Sequence, residues 1–200
     1  MSTEDKNKPG KADLPVIPFA SPEVWEQWLE DNHTAANGIW IQFYKKGSGI
    51  ASVTYAEALD IALCYGWIDA QLKSIDELSY KQHFTPRRPR SIWSKRNIEH
   101  IARLTNEGRM KAAGIKQVAA AKADGRWEQA YDSPGNMILP DDFVAELSKN
   151  KKASGFYDSL NKTNKYAICW RIQTAKKPET REKRIKEILY MLDRKEKFHF

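Results

Sequence analysis

The sequence predicts an α+β fold: a small antiparallel sheet packed by helices in the N-terminal half, followed by an all-helical C-terminal half. Three observations carry this reading. Strand-like runs, β-branched and aromatic, occur only between Gly38 and Thr85; capped helical periodicity fills the chain beyond Pro89; and a Gly- and Pro-rich stretch at 125–139 separates the two patterns. With 200 residues, of which seven Trp, eight Tyr and seven Phe are aromatic, the chain has the apolar mass for a packed core. The predicted organisation is a polar lead-in at 1–14, a mixed α+β domain at 15–124, a loop at 125–139 and a helical module at 140–200.

Each element has a local cause. Ser21-Pro22-Glu23 places a cap residue, a first-turn proline and an acid ahead of Val24, Trp25, Trp28 and Leu29, which predicts an amphipathic helix ending near Asn32. The run from Gly38 to Tyr44 is apolar on both sides and reads as a strand covered by helices, left through a turn at Lys45 to Gly49. Thr54 and Glu57 form a capping box for a helix carrying Ala58, Leu59, Ala62 and Leu63, with Gly66 as its left-handed stop. Gly66 to Ile75 and Tyr80 to Thr85 pair as a hairpin. Helices then follow over 94–108, 110–123, 141–147, 153–160, 164–175 and 178–197.

Formal net charge is +7, which raises the expectation of an anionic partner, and its distribution is uneven. Residues 149–200 hold 15 Lys/Arg against 6 Asp/Glu, while residues 1–148 hold 18 against 20. The excess therefore sits on the terminal module. There, Ile185, Ile188, Leu189 and Leu192 share a helix face, and acids interrupt the basic remainder, which predicts a solvated docking helix over a membrane-surface one. Lys176 and Lys177 are placed to neutralise the carbonyls ending the helix before it. No run is apolar enough for membrane insertion and the N-terminus lacks a signal-peptide stretch, so the expected location is cytoplasmic. Cys64 and Cys169 lie in apolar contexts and read as buried thiols.

The densest polar and aromatic segment is 81–97, which carries Lys81, Arg87, Arg88, Arg90, Lys95 and Arg96 with no acid. Arginine forks with Ser91 and Ser94 ahead of a helix suit an anion, a description that a solvated basic loop anchored by Trp93 satisfies equally. Lys45 and Lys46 precede Gly47-Ser48-Gly49, the reverse of the order a nucleotide-hydrolysing phosphate loop needs. Strand alternation puts Trp67, Asp69 and Lys73 on one face. Asp69, flanked by apolar residues, is expected to pair with an arginine or to carry a raised pKa. His33, His83, His100 and His199 are scattered, so neither a metal site nor a cofactor is expected.

Four motifs recur together in order: Trp40 to Gly49, Tyr55 to Asp69, Phe84 to Asn97, and Ala175 to Arg181 with Arg184-Ile185. On these residues the chain resembles the YdeI/OmpD-associated family, also called bacteriocin-protection proteins, over nearly its whole ordered length. The resemblance implies a soluble stress- or protection-associated protein and carries over no established catalytic residue. Ala112 departs from it where relatives are expected to have proline, which softens the helix start there.

The leading expectation is a binder of a small anionic molecule, with Lys45, Lys46, Trp67, Asp69, Arg87, Ser91, Trp93 and Asn97 converging on one pocket and Lys73 beside them. A second reading is nucleic-acid binding through the basic loop and tail, with steep salt dependence. A third is an enzyme with Asp69 as general base. Nothing in the pattern sets an oligomeric state.

Overall fold

The computed structural model describes residues 14–198, so all but Leu14 of the expected lead-in lies outside the described residues, as does His199. The chain divides into two compact units, one comprising the chain up to Ser91 together with Asn97–Glu128, the other Ile92–Arg96 together with the chain from Gln129. Among the described residues no helix is long and apolar enough to cross a membrane.

The first unit contains β1 (Val16–Pro18), α1 (Pro22–Asn32), β2 (Ile39–Tyr44), α2 (Tyr55–Cys64), β3 (Trp67–Ser74), β4 (Ser79–Pro86), α3 (Lys95–Asn106, from Asn97 onward) and α4 (Ala112–Ala123). The sheet order is β1-β2-β4-β3. β2 and β3 both pair antiparallel with β4, as the hairpin reading expects, but β1 adds a parallel edge, so the sheet is mixed. A three-residue strand ending in proline gives no period-2 signal, and its partner lies over twenty residues away.

Helix α2 starts as its sequence dictates. The Thr54 hydroxyl accepts from the Glu57 amide at 3.3 Å, and the Glu57 carboxylate accepts from the Thr54 amide at 2.8 Å. It ends before Gly66, whose φ of +74° is left-handed. The sheet presents Ile39, Ile41 and Phe43 with Tyr80, Gln82 and Phe84 on one face, since these residues are direct cross-strand partners. Phe84 on that face meets Trp25 of α1 at 5.8 Å between ring centroids. Trp25, Trp28 and Trp67 form a cluster with centroids 5.5 to 6.5 Å apart, and the Trp25 indole donates to the Ala58 carbonyl, tying α1 to α2.

The second unit holds α5 (Asp141–Ser148), α6 (Lys151–Ser159), α7 (Lys162–Gln173) and α8 (Pro178–Asp193). Its core is built from Phe143, Leu147, Ala153, Tyr157, Leu160, Ile168, Ile172, Ile185, Ile188 and Leu192. The apolar face expected to make α8 a docking helix is therefore buried within its own unit. Much of its basic face is ion-paired too, through Lys186–Glu182, Lys183–Glu187 and Arg181–Asp142. The carbonyls closing α7 are met by Arg181 on Ile172 at 3.1 Å and Arg184 on Arg171 at 2.6 Å, not by Lys176 and Lys177. The longer arginines, one and two turns into α8, reach back where the two lysines stand too near the turn.

Candidate functional site

The site begins where β2 ends. Beyond Tyr44 the chain makes a single 3-10 turn at Lys46–Ser48 and a left-handed step at Gly49, with φ of +72°, before returning to the cap of α2 at Thr54. The Lys45 amide extends the ladder by donating to the Leu78 carbonyl at 2.9 Å, and the Tyr44 amide donates to Ser52 Oγ at 3.4 Å. These bonds pin both ends of the segment and leave a cavity of about 640 Å3 between it, the end of β2 and Tyr80 of β4.

The lining contains Lys45, Lys46, five hydroxyl side chains (Tyr44, Ser52, Thr54, Tyr55 and Tyr80) and no carboxylate. Phe43 and Tyr80 stack at 5.3 Å with 20° between their planes, giving the cavity a flat aromatic wall. Burial pushes the Tyr80 phenol above its ordinary pKa, so it stays protonated as a donor. Lys45 Nζ donates to the Glu77 carbonyl at 2.9 Å, whereas Lys46 has no acidic partner among the described residues. A lining that is cationic and hydroxyl-rich against an aromatic wall is chemically complementary to a small anion with a planar or apolar body.

Asp69 stands one layer behind. Its Oδ2 accepts from the Tyr55 hydroxyl at 3.0 Å and from Gln82 Nε2 at 3.4 Å, and Gln82 also donates to the Ala70 carbonyl at 2.9 Å. Its partners are thus two neutral donors and not an arginine, one of the two alternatives expected for it. Asp69 does not line the cavity; it fixes Tyr55, which does.

The remaining expected residues are distributed elsewhere. Trp67 is 1% exposed in the aromatic core, its indole donating to the His33 carbonyl at 3.2 Å. Lys73 does not share a face with Trp67 and Asp69. A bulge between Asp69 and Leu72 shifts the register, so that Asp69 opposes Phe84 but Leu72 opposes Gln82. Lys73 then opposes Lys81 on the other face of the sheet, and both ammonium groups sit over the Trp40 ring at 5.3 and 5.1 Å. Arg87 is buried, with its amide donating to the Gly66 carbonyl. Ser91 accepts the Arg88 amide on its hydroxyl and an Arg126 guanidinium N–H on its carbonyl. Asn97 lies in the first turns of α3. Trp93 belongs to the second unit, where its carbonyl accepts from the Tyr131 amide.

Sequence reasoning passed over Tyr55 and Tyr80. Tyr80 was legible as the residue four before Phe84 on one strand face, while Tyr55 reads only as the residue after a cap until its hydroxyl is seen to reach β3. It also passed over Asp60, whose carboxylate accepts from Arg103 at 2.6 Å and lies 2.7 Å from His100 Nδ1, linking α2 to α3. Among the described residues no cluster of three or more potential ligands is arranged to hold a metal ion.

Comparison with known proteins divides the chain along similar lines. Residues 17–117 match the family described as Domain of unknown function (DUF8412), and residues 136–195 match the one described as Bacteriocin-protection, YdeI or OmpD-Associated. The first three motifs that carry the resemblance thus fall within the former match and the fourth within the latter. Searches of curated proteins and of solved structures returned no match.

Proposed function

We propose, for a chain that belongs to the DUF8412 family by residues 17–117 and carries a bacteriocin-protection, YdeI or OmpD-associated domain at 136–195, that it binds a small organic anion in the Lys45/Lys46 cavity. The observation that supports this is the lining itself: two ammonium groups and five hydroxyl side chains with no carboxylate among them, of which Tyr55 and Thr54 donate to Asp69 and Glu57 behind the lining, so that Lys46 and the hydroxyls of Tyr44, Ser52 and Tyr80 face the ligand. A carboxylate or phosphate ester on a ring fits best, the anion towards Lys46 and the ring against the stacked Phe43 and Tyr80. Lys46 carries the charge recognition, because Lys45 is partly committed to the Glu77 carbonyl. Asp69 is a positioning residue, setting the Tyr55 hydroxyl through their 3.0 Å bond. In this reading the protein is a cytoplasmic, protection-associated binder.

Calorimetric titration with aromatic carboxylates and aryl phosphates, each beside its neutral amide or alcohol, tests the proposal. An anionic member is expected to bind, its neutral analogue at least about tenfold more weakly, and Lys46→Ala to lose about the same factor, as for one charge-assisted hydrogen bond. Equal binding of neutral and charged analogues, an unaffected Lys46→Ala variant, or binding of polynucleotides alone would sink it.

A further inference from the structure

The second unit has a cavity of its own, of about 650 Å3, with a different chemistry. Its charged lining is mixed: Lys95, Lys176 and Arg181 against Asp132 and Asp141. Internal pairing consumes most of these. Lys95 Nζ bonds Asp132 at 2.6 Å. Gln173 of α7 holds Asp132 from behind, its amide nitrogen donating to the carboxylate at 2.9 Å and its oxygen accepting the Asp132 backbone N–H at 3.4 Å. Arg181 grips Asp142 through Nε at 2.6 Å and Nη2 at 2.8 Å and spends Nη1 on the Ile172 carbonyl.

What remains is one charge of each sign. Among the described residues neither Lys176 nor Asp141 has a side-chain hydrogen bond or ion pair. Lys176 lies in the α7–α8 turn and Asp141 at the start of α5. A simple anion in this cavity would face Asp141 and Asp132, and a simple cation would face Lys176 and Lys95. A ligand bearing both charges meets each with its complement. Beside the polar Gln129, Tyr131, Gln173 and Thr174, the lining has an apolar part formed by Ile92, Ile138, Leu139, Pro140 and Ala175, with Ile138 75% exposed. We infer that this cavity binds a zwitterionic short peptide with an apolar side chain, its terminal ammonium on Asp141 and its terminal carboxylate on Lys176. The volume falls within the roughly 300–1,000 Å3 of small-molecule sites and exceeds the needs of a lone amino acid.

The test uses the full chain and apolar dipeptides such as leucyl-leucine, valyl-leucine and leucyl-phenylalanine, each free, N-acetylated and C-amidated, followed by calorimetry. At least one free dipeptide is expected to bind, and either cap to weaken it about tenfold or more, the loss of one charge-assisted contact. Lys176→Ala is expected to weaken the free dipeptide while abolishing the penalty for C-amidation, and Asp141→Asn to abolish the penalty for N-acetylation. Both residues are exposed, so unchanged thermal unfolding certifies the variants. If no free dipeptide binds at millimolar concentration, if capped forms bind equally, or if the two variants keep both penalties, the assignment is overturned.

Discussion

Gly114 is a residue whose missing side chain decides a packing contact. It lies in the first turn of α4, against the C-terminal turn of α2, where the Lys111 amide donates to the Cys64 carbonyl at 3.2 Å. A Cβ at 114 would run into that same Cys64 carbonyl oxygen and stand 2.8 Å from the Leu63 one, both backbone atoms that cannot rotate aside. Alanine normally improves a helix over glycine by about 1 kcal/mol. Here the clash outweighs that gain, and Gly114→Ala is expected to destabilise the protein by roughly 1–3 kcal/mol, the cost of overpacking a tight contact. Denaturant unfolding checks it, and a stabilised variant would show that the two helices separate at no cost. Cys64 itself is core: burial pushes its thiol up to about 11, away from the range of a nucleophile.

The junction of α5, α7 and α8 depends on one guanidinium in the same sense. Arg181 closes the C-terminus of α7 through the Ile172 carbonyl and holds Asp142 in the first turn of α5, so three helices share a single side chain. Its side chain is 30% exposed and that of Asp142 47%, which screens the pair. Arg181→Ala is expected to cost roughly 1–2 kcal/mol, and Arg181→Lys to recover little of it, because an ammonium cannot make the forked contact and cap a carbonyl together. Recovery of full stability by lysine, read in denaturant unfolding, would reduce the junction to simple charge pairing. Elements like α8, whose Pro178 start and apolar spacing are local, were legible in sequence. The partner of its apolar face was not, since periodicity reports that a face is buried but not by what. Strand alternation likewise placed Trp67 and Asp69 correctly together, then failed at Lys73, because a one-residue bulge reverses every later side chain and leaves no compositional trace. For the site, Lys45 and Lys46 were readable from the turn chemistry around them. Tyr55 was not, because its role depends on a bond to a strand fourteen residues away.

Across the whole molecule, depressed carboxyl groups occur in both units and act in the same direction. For Asp60, burial works to raise the pKa, but hydrogen bonds from Arg103 and His100 outweigh it and hold it below the ordinary value. Asp132 is held low by Lys95, with Gln173 adding to it, Asp142 by Arg181, and Asp193 by Asn150 and then Lys152. A carboxyl whose folded pKa lies below its unfolded one binds its proton more readily in the unfolded chain. Its contribution is therefore complete above the unfolded value, about 3.9 for aspartate, and disappears as pH falls through the folded values. Stability at fixed salt is expected to be insensitive to these four groups above about pH 5 and to fall continuously below about pH 4. Asp60→Asn, which cannot bind the extra proton, should be less stable than the parent at pH 6 and converge on it towards pH 3. The same convergence is expected for Asp142→Asn in the second unit. Denaturant midpoints at pH 6, 4.5 and 3 measure it: parallel curves for parent and Asp60→Asn would mean that the Asp60–Arg103–His100 contact does not persist in solution, and α2 and α3 would then be joined by packing alone.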